Sequence, residues 1–417
     1  MSTIKSSSED LTLDADGGSS EIKLKINNVE KASISSAGAF TSTTIDATAL
    51  TGNLPAISGA SLTGLPAAGD KRNFIIDGDF TQWPEGTSFV PIGNNGHSAA
   101  LWRHNTGGTG AGTITRETDV PTAAESNHQS SYSLKYDVTT LDATPDTGGD
   151  HYLLRHYITG TNFKALHQQE VTFSFWHKHT KTGTYTVAFR NHVPNRSYVH
   201  EYTQSVSDTW ERDTHTFTMD TSGTWLFTDT DKGMDIIFTI SAESSFDAGT
   251  ADTWLAGNLF STSNQVNAMD STSNNMLFSQ VGLYLGSTAP NFTSPPISTV
   301  QDQVDWYVQR YDYDTVGAET IAIGHCFSTG QNYCHFNYRK KMRIAPSGSS
   351  TASATFETTI ASGAGGSLSA GPTFSGVGKN ACRFYMQKTT SNLVAGDASM
   401  FHRDGSDTCW LMLDARH

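Results

Sequence analysis

Aromatic side chains set among polar residues are the groups in this sequence best suited to binding a ligand. The C–H faces of sugar rings stack on Trp and Tyr, while Asn, Gln and Asp bond to sugar hydroxyls. Such mixtures occur at residues 191–202 and 241–275, which we interpret as loops that form a binding rim. The residues that we predict to be displayed for glycan binding, with burial in a core as the alternative, are Tyr198, Tyr202, Trp225 and Trp254.

Carboxylates are frequent enough to supply the acid and base of glycoside hydrolysis, but no motif singles out a pair. The sequence has no Gly-x-Ser-x-Gly, phosphate-loop or dinucleotide-binding motif. We therefore predict that the protein is not an enzyme, with a polysaccharide depolymerase as an alternative. The candidate carboxylates are Glu117, Asp119, Glu125, Glu201, Glu211 and Asp213.

Two short patterns contain residue types that bind metal ions. Asp77-Gly-Asp79 offers two carboxylates to a structural calcium site. The alternative is that Asp77 and Asp79 cap the backbone amides of a turn. His177 and His179 lie on one face of a predicted strand at a spacing that suits a transition metal, and we interpret them as ordinary histidines because that strand belongs to a predicted sandwich. Beyond the candidate calcium site, we predict no cofactor.

The composition restricts the class of protein. The 417 residues carry a net charge of −14, which argues against a nucleic-acid partner. No apolar run approaches the roughly 20 residues that span a membrane, and the first residues lack the apolar core of a signal peptide. We therefore expect no membrane insertion, and release by cell lysis. The four cysteines lie in the last quarter of the chain, and we favour buried thiols over disulfides.

Residues 1–70 differ from the rest of the chain, because Phe40 is their only aromatic residue. Apolar alternation predicts two strands, Ile22–Ile26 and Val29–Ile34, joined by a turn at Asn27 and Asn28. Two related Leu-Thr-Gly motifs follow, at residues 49–55 and 61–66. The segment has too few large side chains to bury a core alone, so we predict that identical copies intertwine in a homotrimeric stalk. A disordered linker is the alternative.

Short alternating strands, separated by Gly, Asn, Asp or Pro, dominate residues 71–297, and they predict one jelly-roll-like β-sandwich. Residues 298–417 begin with a capping-box sequence at Ser298 and apolar residues at helical spacing as far as Tyr311. Strand patterns then return. The expected fold class is all-β: a thin N-terminal stalk or attachment segment (1–70), the sandwich, and a short helix followed by a C-terminal β domain.

Several motifs occur in an order that resembles bacteriophage tail-fibre and receptor-binding proteins. After the Leu-Thr-Gly repeats, the motifs lie at 72–89, 100–103, 171–176, 309–313 and 339–346. The similarity extends from about residue 72 to residue 350. Asp312 departs from it, because the family pattern favours an aromatic residue there, and the last 70 residues match no motif of the family. The resemblance implies a jelly roll similar to carbohydrate-binding modules, in which Trp83, Trp102 and Trp176 are packing residues.

The resemblance also implies a virion structural protein, and we expect a tail fibre that attaches the particle to a host-surface glycan. Its expected partners are further copies of itself in a homotrimer, other tail proteins that contact the N-terminal segment, and the glycan. Its expected location is the virion tail, after assembly in the host cytoplasm. One alternative is a non-binding spacer such as a head fibre or decoration protein, and the other is the depolymerase.

Overall fold

The computed structural model describes residues 21–35, 37, 40–42 and 72–417, apart from 147, 315–317, 364, 389, 391 and 406. The chain forms two compact units, residues 1–67 and 68–417. Strands build nearly all of the regular structure and the helices are short, which confirms the all-β prediction. Within the described residues, no helix has the length and apolar character needed to cross a lipid bilayer.

The first unit contains a three-stranded antiparallel sheet. β1 (Ile22–Ile26) and β2 (Val29–Ile34) occupy the predicted residues, and β3 (Phe40–Ser42) pairs with β2. Asn27 and Asn28 both have positive φ in the tight turn between β1 and β2, as predicted. The predicted Leu-Thr-Gly motifs lie outside the described residues.

The second unit begins with a jelly-roll-like sandwich of two six-stranded sheets. Its elements are β4 (Ser88–Phe89), β5 (Trp102–Thr106), β6 (Ala111–Glu117), α1 (Ala123–Ser126), β7 (Ser133–Thr140), β8 (His151–Thr159), α2 (Gly160–Phe163), β9 (Glu170–His179), β10 (Gly183–Asn191), β11 (Arg196–Gln204), β12 (Glu211–Thr218), β13 (Lys232–Ala242), β14 (Trp254–Ala256) and β15 (Asn275–Leu285). The front sheet has the order β14-β11-β10-β13-β8-β5, and the back sheet has the order β12-β9-β15-β7-β6-β4.

Alternation along the strands separates inner from outer side chains and creates one continuous core between the two sheets. On β8, for example, Tyr152 and Leu154 are buried between the sheets. Trp102 is 2% exposed and lies 5.9 Å from the ring of Phe238, which confirms its predicted packing role. Trp83 packs against the same core and is only partly buried.

Helix α3 (Ile297–Val304) leads from the sandwich to the C-terminal β region. Val300 and Val304 are buried, as its apolar spacing predicts. The predicted capping box at Ser298 is wrong, because the N-cap is Pro296 and has no side-chain cap. The predicted extension to Tyr311 is also wrong, because the chain is extended from residue 308, where it pairs with the last strand of the protein.

The C-terminal region combines a three-stranded sheet with a closed six-stranded barrel. All four cysteines are buried free thiols, which confirms the preferred prediction. The strands are β16 (Val308–Tyr313), β17 (Thr320–Cys326), β18 (Gln331–Asn337), β19 (Ser347–Ser350), β20 (Phe356–Ile360), β21 (Gly365–Ser375), β22 (Ala381–Lys388), β23 (Ala398–Arg403) and β24 (Cys409–Asp414). The sheet order is β16-β24-β19, and the barrel order is β17-β18-β22-β21-β20-β23.

Candidate ligand-binding face of the front sheet

A row of polar side chains crosses the outer face of the front sheet. Strands β8, β13 and β10 place mostly apolar residues inward, whereas outward positions on these strands hold Arg155, Asp235 and Arg190. Arg190 lies directly opposite Asp235 in the paired strands. Asn105 on β5 and Asn258, in the loop after β14, extend the row at its two ends. We call these five residues the polar row.

Hydrogen bonds connect the members of the polar row. Arg155 donates to the side-chain oxygens of Asn105 and Asp235. Arg190 donates to Asp235 at 2.7 Å and also to Asn258. The side chain of Asp235 is 0% exposed, and those of Arg155 and Arg190 are 14% and 8% exposed. Burial opposes the ionisation of Asp235, but the two arginine charges outweigh it and hold the pKa of Asp235 below its usual range.

Additional cations lie beside the polar row. The ammonium group of Lys232 is 4.0 Å from the centre of the Tyr157 ring, and the guanidinium of Arg155 is 5.0 Å from the same centre. Burial lowers the pKa of Lys232 to about 8. The negative charge of Asp235 raises this pKa, whereas the positive charges of Arg103, Arg155 and Arg190 lower it further. This face therefore has more positive than negative side chains, although the whole chain is acidic.

Exposed amides border the polar row, and a loop covers the apolar remainder of the outer face. Asn94 and Asn95 are exposed, and their side-chain oxygens accept hydrogen bonds from Asn105 at 2.9 and 2.6 Å. Farther along the face, Leu153 and Val199 are buried in a cluster with Phe260, which belongs to the covering loop. The part of the face outside this apolar cluster is therefore polar, edged by amides and positively charged.

Three of the four aromatic residues that we predicted to contact glycan are buried in the sandwich core. Tyr198, Tyr202 and Trp225 are 6%, 2% and 8% exposed, so the prediction that they are displayed is wrong. Tyr198 and Tyr202 occupy inward positions of β11, where their rings lie 4.7 Å from Phe217 and 5.0 Å from Phe175. The physical reason is that β11 begins inside the stretch predicted to be a loop, and strand alternation turns both rings inward.

Trp225 and Trp254 contact each other at one end of the core, with ring centres 5.7 Å apart. Trp225 also stacks on Phe163 of α2 at 4.9 Å, so it serves packing. Trp254 is only partly buried, and its indole N–H donates to the carbonyl of Thr218 at 2.8 Å. Trp254 is thus the one predicted aromatic residue that keeps part of its ring at the surface, and its role as a ligand contact stays a prediction.

Asp77 and Asp79 hold loops of the second unit together. The carboxylate of Asp77 accepts hydrogen bonds from the backbone N–H and the hydroxyl of Thr81 at 2.8 and 2.7 Å. Burial raises the pKa of Asp77 to about 7, so a proton competes with any cation there. Asp79 accepts from the hydroxyl of Ser294 at 2.7 Å and contacts His128 at 3.1 Å. The contacts of Asp77 match the alternative interpretation of a residue that caps turn amides, whereas the contacts of Asp79 are with side chains distant in sequence.

His177 and His179 lie in the sandwich core rather than in a metal site. The Nδ1 atom of His177 is 2.9 Å from the side-chain oxygen of Gln204, and the Nε2 atom of His179 is 3.2 Å from the hydroxyl of Tyr202. Burial lowers the pKa of both rings, so both are neutral at pH 7. The structure agrees with the interpretation of these residues as ordinary histidines.

A cavity of about 650 Å³ lies between the 72–81 turn, the loop at 128–131 and the linker at 290–297. The polar groups that line it include the Asp77 turn and the Asp79–His128–Ser294 contacts. The carboxylate of Asp77 and the Oδ2 atom of Asp79 already bond to neighbouring groups, whereas Oδ1 of Asp79 is buried without a hydrogen-bond partner. We therefore place the candidate site on the front sheet, where the positive side chains exceed the negative ones.

Sequence reasoning did not identify the polar row. One available signal was a charged residue inside an otherwise apolar strand, such as Arg155 in β8 and Asp235 in β13. A charge at such a position is costly to bury unless an opposite charge accompanies it. The pattern could have indicated that partners exist, but only the pairing of β8, β13 and β10 shows which residues they are.

Comparisons with known proteins find partial similarity to solved structures. No family model and no curated protein matches the sequence. The carbohydrate-binding module TmCBM61, solved with β-1,4-galactotriose, is 11% identical and matches 52% of this chain and 99% of its own, with a TM-score of 0.27. A family 11 carbohydrate-binding module of a Clostridium thermocellum cellulosomal cellulase is 12% identical over 47% of this chain and 96% of its own, with a TM-score of 0.25.

The enzymatically active domain of tailspike protein 4 from bacteriophage CBA120 is also similar in part. It is 14% identical over 45% of this chain, with a TM-score of 0.26. The match spans about a fifth of the tailspike chain, 19% of its length. The strands and sheet order of this protein themselves define a jelly-roll-like β-sandwich joined to a C-terminal β region.

Proposed function

We propose that this protein binds an acidic glycan through the polar row and the cations beside it. The observation that carries the proposal is the grouping of Arg155, Arg190 and Lys232 around the carboxylate of Asp235, with Arg103 near enough to lower the pKa of Lys232, in a chain of net charge −14. Excess positive charges in a partly buried site repel one another, and a bound anion relieves that repulsion.

The chemical groups on this face suit a sugar that carries a carboxylate or phosphate. An arginine guanidinium can donate two parallel hydrogen bonds to either anion. The exposed amides of Asn94, Asn95 and Asn258 can both donate to and accept from sugar hydroxyls. Tyr157 is only 7% exposed, so charge rather than ring stacking dominates recognition, and binding should weaken as salt is added. Several copies per particle would strengthen a weak single site.

Lys232→Gln is expected to weaken binding to acidic glycans by about fivefold, the equivalent of a charge contact of ~1 kcal/mol. The variant should stay folded, because the ammonium that it removes is repelled by neighbouring arginines. Calorimetric titration with acidic and neutral oligosaccharides measures the effect, after an array has identified the ligands.

The affinity of the wild type for acidic glycans should also fall as pH rises from 7 to 9. The pKa of Lys232 is about 8, so its positive charge is lost above that value.

Arg383→Gln is the matched control for Lys232→Gln. The Arg383 guanidinium is exposed and lies 4.6 Å from the ring centre of Tyr333 in the barrel, so the variant also removes a cation from a tyrosine face. Binding should be unchanged in this variant. Equal affinity of the wild type for acidic and neutral glycans, or an equal loss in both variants, would contradict the proposal.

We also infer that the protein acts in a phage virion as a trimeric tail fibre. The resemblance of its motifs to those of bacteriophage tail-fibre proteins supports this inference. The exposed apolar side chains of the first unit support it as well. Leu24, Ile26 and Val29 are 52%, 63% and 55% exposed, although strands of this kind normally bury one face. Burying these side chains between identical copies stabilises a stalk that one copy cannot stabilise alone.

The double variant Leu24→Ser, Ile26→Ser is expected to raise the trimer dissociation constant by about a hundredfold or more, because each buried side chain contributes roughly 1.5–3 kcal/mol. Analytical ultracentrifugation of the full chain over a range of concentrations measures the change. The matched control, Lys23→Ser with Lys25→Ser, alters the alternate positions of the same strand and should leave the trimer intact. A monomeric wild type, or trimers of unchanged strength in both variants, would rule out this role for β1.

Two alternatives make different predictions in the same assays. A non-binding spacer would show no glycan affinity on the array. Labelling this protein on intact particles would show whether it lies at the head or along the tail. A depolymerase would release reducing ends from host polysaccharide, which we expect the purified protein not to do.

A further inference from the structure

A cluster of histidine and aspartate side chains lies at one open edge of the sandwich, apart from the polar row. His200 is on β11 of the front sheet, and Asp213 and His215 are on β12 of the back sheet. Asp252 comes from the loop before β14. His200 and His215 are 12% and 17% exposed, and Asp252 is 48% exposed. The cluster therefore links the edges of the two sheets and is reachable from solvent.

The geometry brings three metal-binding atoms together. The Nδ1 atom of His200 is 2.7 Å from Oδ1 of Asp252, and Nε2 of His215 is 3.4 Å from the same oxygen. Ligand atoms from all three residues lie within 4.8 Å of one another. Ligands around a tetrahedral ion lie roughly 3.4 Å apart, so this spacing is close to that of a metal site. The rings are stacked at 3.7 Å and must turn for their nitrogens to converge on one ion, and Nε2 of His215 must exchange its 2.8 Å contact with the Tyr198 hydroxyl for the metal.

We propose that His200, His215 and Asp252 bind a divalent transition-metal ion such as Zn²⁺. Two imidazoles and a carboxylate suit this class of ion, whereas Ca²⁺ and Mg²⁺ prefer oxygen ligands throughout. Three protein ligands leave one position for water. The ion would join β11 of the front sheet to the back-sheet edge and to the loop before β14, and so stabilise the edge where the sandwich is open.

Asp213 completes the arrangement as a positioning residue. Its Oδ1 atom is 3.3 Å from Nε2 of His200, the ring nitrogen that faces away from Asp252. A carboxylate that accepts the outer N–H of a histidine fixes the tautomer, so the other nitrogen is free to bind the metal. Within the part of the chain that the structure describes, the ion pairs of Asp213 and Asp252 are with these histidines, so their negative charge is not matched by Arg or Lys.

A second group of similar composition shows what a cluster looks like when a protein cation already occupies it. Glu85, His97 and Asp414 also bring their ligand atoms together. The guanidinium of Arg416, only 2% exposed, donates to Glu85 and, at 2.7 Å, to Asp414. That positive charge takes the place that a metal would need. No comparable cation enters the His200 cluster among the described residues, which is why we place the site there.

Zinc titration of the metal-free full chain tests the proposal. The wild type should bind one Zn²⁺ per chain by isothermal calorimetry, and zinc should raise its thermal unfolding midpoint. His200→Gln and Asp252→Asn should bind at least about tenfold more weakly, and Asp213→Asn about 10–100-fold more weakly. Visible absorption of the Co²⁺-loaded wild type should show a low-symmetry site with nitrogen ligands, and this signature should be lost in His200→Gln.

Controls separate a specific site from adventitious binding and from misfolding. His335→Gln changes an exposed histidine of the barrel and should bind zinc as the wild type does. Circular dichroism of each metal-free variant checks folding, and Asp252→Asn, at a half-exposed loop position, is the variant least able to disturb the core. Absence of zinc binding by the wild type, or equal binding by the wild type, His200→Gln and Asp252→Asn, would overturn the proposal. Glycan binding plays no part in this test.

Discussion

Replacing Asp235 with Asn is expected to lower the free energy of unfolding by about 3–5 kcal/mol, the usual cost of removing one partner from a buried ion pair. Asn has nearly the same shape as Asp, so the change removes the charge and little else. The guanidinium groups of Arg155 and Arg190 would then face each other across a neutral side chain in a mostly buried site. Urea unfolding at pH 7, followed by tryptophan fluorescence, measures the loss.

Two further variants make the Asp235 result decisive. Asp312→Asn removes the carboxylate of an exposed pair with Arg310 and should cost less than about 1 kcal/mol. Replacing Arg155, Arg190 and Asp235 together by Met, Met and Leu should restore most of the stability, because apolar residues substitute well for buried ion pairs. That triple variant should nevertheless lose acidic-glycan binding. If Asp235→Asn costs no more than Asp312→Asn, the polar row is well solvated and its arginines do not form an anion site.

Acidification is expected to destabilise the protein through its buried histidines. His104 and His156 are each 1% exposed, and burial lowers their pKa to about 4 and about 3. In the unfolded chain the same groups take up protons near pH 6.5. Their contribution to stability is therefore complete above pH 6.5 and is lost as pH falls, by about 1.4 kcal/mol per pH unit for each group. Asp77 acts in the opposite direction, because its pKa is raised to about 7 in the folded state.

His156→Phe isolates one of these histidines. The His156 ring lies 5.1 Å from the ring of Trp102, and its Nδ1 atom is buried without a hydrogen-bond partner, so Phe fits the site chemically. Between pH 6.5 and 4.5 the stability of this variant relative to wild type should improve by about 2.3 kcal/mol, less than two full pH units at the slope above because the unfolded histidine is already half protonated at pH 6.5. Urea unfolding at a series of pH values measures it. A difference that stays constant with pH would show that folded His156 takes up a proton as readily as the unfolded chain.

Local sequence patterns were sufficient where a structure depends on near neighbours. Strands β1 and β2 lie at the predicted residues, because apolar alternation and an Asn-Asn turn are short-range signals. The spacing of Val300 and Val304 likewise indicated α3. The end of that helix was misplaced, because β24, about a hundred residues later, pairs with the segment from Val308 onward and makes it extended.

The sequence by itself determined the all-β class, the first two strands, the packing role of Trp102 and the buried state of the cysteines. The fold class and the two strands follow from composition and from period-two alternation, which each segment carries alone. The packing role of Trp102 followed from the resemblance to phage tail proteins, and the buried thiols followed from an expected reducing compartment. Only the tertiary structure decided which side chains meet. Tyr198 and Tyr202 turn inward because their segment is a strand in a sandwich. Arg155, Arg190 and Asp235 form one site because strand pairing brings together residues up to 80 positions apart, and no local signal specifies that register.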